Sequence, residues 1–108
     1  MASNGAARIF TLLATIVRVV CSVIAALIVV HALFVLFGAN PGNVLVQVTT
    51  SWRNTFGWFT EGLFTPSDAK IAEAINDALA ALIWVVVGSL ISKAIVRLAP
   101  APKAASKA

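Results

Sequence analysis

From Val19 to Phe37 the chain reads VVCSVIAALIVVHALFVLF, nineteen residues without a Lys, Arg, Asp or Glu. At ~1.5 Å rise per residue this is roughly 28 Å of helix, close to the ~30 Å hydrocarbon thickness of a bilayer. Such a run predicts a transmembrane helix, and the rest of the chain has to be compatible with it. Only 11% of the 108 residues are charged, against about 25% in soluble domains, and the mean hydropathy is +0.97. The apolar stretch continues past the ~7–15 residues of a secretory signal, and no small-x-small cleavage site follows it directly.

The length leaves room for one membrane domain over residues 9–98, between a disordered N-terminus (1–8) and a disordered basic tail (99–108). The first span covers about 17–37. Arg18 snorkels to the interface, and residues 9–17 form a shallow segment near the headgroups. Gly38 to Asn43 is a turn, with Asn40 before Pro41 reading as an N-cap ahead of a helix over about 41–60. In that helix Leu45, Val48, Trp52, Phe56, Phe59 and Leu63 recur at steps of three and four, an amphipathic pattern. Trp52 and Trp58 suit a membrane interface, where an indole ring is buried while its N–H stays wet. The helix therefore either lies flat on the outer leaflet or packs its aromatic face back on the spans.

Thr65-Pro66-Ser67-Asp68 carries an N-cap residue with proline next to it, so a third helix is expected over about 66–98. Ala78 to Ser92 is uncharged, and Lys93 and Arg97 can snorkel to complete a second span. The predicted fold class is all-α: a two-transmembrane-helix hairpin with an amphipathic interfacial helix in the connecting loop.

The charges give the hairpin a direction. Arg8, Arg18, Lys93, Arg97, Lys103 and Lys107 flank the spans without a single acid among them. Arg53 and Lys70 share the connecting region with Glu61, Asp68, Glu73 and Asp77. Cations near span ends favour the cytoplasmic side, which puts both termini inside and the connecting region outside. The basic tail then anchors to anionic lipid rather than to nucleic acid. A bacterial inner-membrane protein with both ends cytoplasmic is the expected location.

Chemistry is sparsely written. Cys21 is the only cysteine, which excludes an internal disulfide or a multi-Cys metal site, and no P-loop, dinucleotide fingerprint or H-E-x-x-H is present. His31 lies within the first span, where a polar group is a functional candidate by default; the plainer reading is a helix–helix hydrogen bond. Asp77 stands at the entry of the second span beside Asn76, either at the interface or buried with a function. Ser22 and Ala26 on the first span, and Ala78, Ala81, Gly88 and Ser92 on the second, form strips of small residues of the kind that let helices approach. No catalytic residues, metal ligands or cofactor are assigned, and an enzyme is not expected.

Asn40-Pro41 after a long first span, the aromatics from Trp52 to Phe59, the stretch Leu63 to Asp68, and the run from Ile75 through Trp84 to Arg97 form a pattern. It resembles uncharacterised small two-span membrane proteins of actinobacteria and, more distantly, the YggT-like membrane family. The resemblance covers about half the chain and implies a membrane hairpin without implying an activity. The expected role is structural or accessory, through helix–helix contacts with a second copy or a larger membrane complex. The alternatives are a holin-like pore and, more weakly, a lipid or quinone site above His31.

Overall fold

The computed structural model describes residues 2–99, with side chains from Gly5 onward. The basic tail expected over 99–108 lies, beyond Ala99, outside the described residues. All elements in this range are helical: α1 (Ala2–Leu36), α2 (Val44–Phe56), a 3-10 turn (Trp58–Thr60) and α3 (Ala69–Leu98). The long helices α1 and α3 are both long and apolar enough to cross a membrane. They run antiparallel along their length, giving a rod with principal extents of 60 × 28 × 18 Å.

Two contacts fix the helix register. An ideal Cβ on Gly88 would lie 2.6 Å from the Cβ of Cys21, and Asp77 is hydrogen-bonded to His31. Ten residues forward on α1 thus match eleven residues back on α3, as antiparallel helices in continuous contact require. Gly88 is what permits this closeness, because any side chain there would occupy the space of Cys21. Farther along the pair, Ile28 is fully buried among Ile24, Ala25, Ala80 and Ala81, with Trp52, Phe56 and Trp84 packed against this cluster.

Several expected boundaries move. Helix α1 begins at Ala2 rather than after residue 8, since Ala2, Ala6 and Ala7 are strong helix formers that extend it. Residues 9–17 continue the same helix without a break, and Ala14 is buried. Helix α1 ends in a Schellman motif, in which the Ala39 N–H donates to the Phe34 carbonyl at 2.8 Å and Gly38 takes φ +67°.

The N-cap of α2 is Asn43, whose side chain accepts from the Leu45 N–H at 2.8 Å; Asn40 instead accepts from Gly42 within the turn. Likewise α3 starts three residues later than expected. Its cap is Asp68, whose carboxylate accepts from the N–H groups of Lys70 and Ile71. The Asn76 side chain holds both the N–H and the carbonyl of Phe64 at 3.0 Å, tying the segment before the cap to the side of α3 instead of letting it continue the helix axis.

Of the two placements open for the connecting helix, packing on the long helices is the one observed. Trp52 Nε1 donates to the Ile24 carbonyl at 3.1 Å, and Trp84 Nε1 donates to the Phe56 carbonyl at 2.7 Å. Trp52 is therefore directed at the hairpin instead of standing free as an interfacial anchor. The outer face of α2, with Val44, Leu45 and Val48, stays exposed, as do Trp58 and Leu63 beyond it.

Candidate functional site

The polar residues of the three helices converge on one place. His31 sits three residues after Ile28 and seven after Ile24, so it continues the inward stripe of α1. Asp77 precedes Ala80 and Ala81 by three and four residues on the inward stripe of α3, with Glu73 one turn before it. Arg53 follows Thr49 by one turn on α2, and both face the hairpin.

Asp77 is the centre of the cluster and is 0% exposed. Its Oδ1 accepts from Arg53 Nε at 2.8 Å, and its Oδ2 lies 2.6 Å from His31 Nδ1. In the tautomer that donates from Nδ1 to Asp77, the second ring nitrogen, Nε2, carries the lone pair. Nε2 makes no hydrogen bond among the described residues; its neighbour is Glu73 Oε2 at 3.6 Å. On the other flank Arg53 Nη1 donates to Asn54 Oδ1 at 3.3 Å and lies 3.6 Å from Glu61 Oε1. Every fully buried side-chain nitrogen or oxygen in the described residues has a partner.

Burial alone would depress the Arg53 pKa. The hydrogen bond and charge of Asp77, aided by Glu61 and Glu73, outweigh that and raise it above the ordinary arginine range. The guanidinium is thus a permanent cation placed to balance a carboxylate that has no access to water. An unpaired buried charge would cost several kcal/mol, so Asp77 depends on both partners.

Beside this cluster a pocket of about 530 Å³ opens between the end of α1, α2 and the start of α3. His31, Arg53, Glu61, Lys70 and Glu73 contribute its charged and titratable lining. A second opening, on the side of the 61–67 segment, is lined by Arg53, Glu73 and Asn76.

Of the residues singled out from sequence, His31 and Asp77 are brought together, and Asp77 belongs to the interior rather than to an interface. Arg18, Lys93 and Arg97 are exposed and remote from them. Ala81, Gly88 and Ser92 lie buried on the packed face of α3. Ser22, Ala26 and Ala78 do not: they are exposed and line a shallow groove with Val29, Leu82 and Val85. The helix face is selected by Ile24, Ile28 and the ion cluster, which gain most from burial, and small size alone does not decide it.

Arg53 and Glu73 were missed as site residues. The available signal for Arg53 was its four-residue spacing from Thr49 and its position between Trp52 and Phe56. A charge in that setting reads as solvated until a buried partner is known. Comparison of the chain with protein-family models, curated proteins and solved structures gives no match.

Proposed function

We propose that the chain is a small integral protein of the bacterial inner membrane with a structural or accessory role, acting through contacts of its helices with a second copy or a larger membrane complex. The observation that carries this reading is the outer surface of the hairpin. Leu12, Val20, Val23 and Leu33 on α1 and Leu82, Val86 and Leu90 on α3 are all exposed, outside an interior that is already packed. Only 33% and 22% of the most apolar windows of the two helices are buried, whereas the core helix of a soluble domain is covered on most sides. Lipid or the apolar face of another membrane protein is the covering that such a surface fits.

The accessory role draws on the polar residues. His31, Asn76 and Asp77 turn inward and are engaged within the chain, so the buried polar groups of the hairpin serve its own packing. The charge pattern supports cytoplasmic termini, with the ion cluster towards the outer side. In this reading the cluster is structural and holds the three helices together.

Affinity purification in mild detergent, followed by mass spectrometry, tests the role. A stable membrane partner or a defined homo-oligomer is expected, with benign overexpression. Abrupt collapse of the membrane potential on induction would replace this reading with a holin-like pore. Reporter fusions after residue 55 and at the C-terminus should lie on opposite sides of the membrane, and the same side for both would exclude the two-span topology.

A further inference from the structure

The pocket beside Asp77 brings His31 Nε2 and the Glu73 carboxylate face to face without a hydrogen bond between them. We propose that His31 and Glu73 bind a divalent transition-metal cation of the zinc class at this position, with Asp77 as the positioning residue.

The distances fit that role. A tetrahedral ion with bonds of about 2.0–2.1 Å holds neighbouring N and O ligands about 3.3–3.5 Å apart. His31 Nε2 and Glu73 Oε2 are 3.6 Å apart, too far for a hydrogen bond and close to the edge of such a polyhedron. His31, Glu73 and Asp77 each offer a ligand atom within 4.8 Å of the others.

The opposite side of the ring is built as metal-binding histidines require. Nδ1 is engaged by Asp77 at 2.6 Å, which fixes the ring orientation and leaves Nε2 as the donor. Arg53 in turn fixes Asp77 through its other oxygen at 2.8 Å. His31 is 4% exposed, so its ring cannot turn away into solvent, and its free nitrogen is on the side of the pocket.

Charge and space agree with a cation. The lining balances Glu61 and Glu73 against Arg53 and Lys70, and Asp77, behind His31, adds one negative charge to the surroundings. The pocket volume of about 530 Å³ accommodates several waters, at ~30 Å³ each, to complete the coordination sphere. One imidazole with one carboxylate favours zinc, cobalt or nickel over the all-oxygen sites of magnesium and calcium. Cys21 is ten residues away along α1, against Gly88, and is not part of the donor set.

Titration of tag-free, full-length protein in detergent micelles with Co²⁺, read by visible absorption and competed with Zn²⁺, tests the assignment. One equivalent per chain is expected, displaced by zinc and not by millimolar magnesium. Glu73→Gln should weaken binding at least tenfold while the helical circular dichroism and thermal transition stay unchanged, because Glu73 is partly exposed and its loss leaves the Arg53–Asp77 bond in place. Cys21→Ser should bind as the parent does. The proposal is overturned by absence of a saturable cobalt spectrum, by unchanged affinity in Glu73→Gln, or by loss of binding in Cys21→Ser.

Discussion

Asp77 Oδ1 accepts a 2.8 Å hydrogen bond from Arg53 Nε, joining a carboxylate with no solvent exposure to a guanidinium from the connecting helix, 24 residues earlier in the chain. With His31 on the second oxygen, one side chain of α3 ties together all three helices. The bond sets the position of α2 more specifically than apolar packing does, because a charge pair tolerates little displacement when water cannot substitute for either partner.

Breaking this pair from one side should be costly. Arg53→Leu leaves Asp77 with a single partner and is expected to destabilise the protein by about 3–5 kcal/mol, the usual penalty for orphaning a buried charge. Asp77→Leu should do the same, whereas the double variant should recover much of the loss. Thermal or denaturant unfolding in micelles would reveal this as non-additivity, and strictly additive effects would show that the pair is not coupled.

Gly88→Ala is expected to cost about 1–3 kcal/mol by overpacking. The new Cβ would stand 2.6 Å from Cys21 Cβ, so α1 and α3 would have to separate locally. Cys21→Ala keeps the clashing atom and should not rescue the variant, whereas Cys21→Gly should do so in part. Thermal stability of the single and double variants distinguishes these outcomes.

Asn76→Ala removes the two 3.0 Å hydrogen bonds that hold the Phe64 backbone. The Thr60 hydroxyl still donates to the Asn76 carbonyl at 2.7 Å, so the 3-10 turn should stay docked. A loss of about 1–3 kcal/mol is expected, with faster amide exchange or proteolysis confined to residues 61–67. Protection changes spread through α2 would contradict this.

Trp52→Phe keeps the ring packed on Phe56, at a centroid distance of 4.7 Å, and deletes the donor to the Ile24 carbonyl. Because Ile24 keeps its own helical hydrogen bond, the expected loss is only about 0.5–1.5 kcal/mol. Trp52→Ala should cost about 3–5 kcal/mol through the cavity left against Ile24 and Ile28. A ranking in the opposite order would mean that the indole N–H, and not the packing, holds α2 in place.

The uncharged run from Val19, the capping residues and the distribution of Lys and Arg were enough to read two long apolar helices with a shorter amphipathic one between them. These are local properties: periodicity, run length and turn chemistry act within a few residues of one another, so sequence carries them directly. Which face each helix buries depended on long-range partners. Ala78 and Ala81 look equivalent by size, yet only Ala81 is buried, because Ile28 and Asp77 dictate the rotation of α3. Trp52 carries the composition of an interfacial anchor, and only the carbonyl of Ile24 makes it an internal contact. Arg53 is the clearest case: along the chain it is one of two cations in an acidic connecting segment. The cost of burying Asp77 in an apolar hairpin draws it inward, and that cost exists only once α1, α2 and α3 have met.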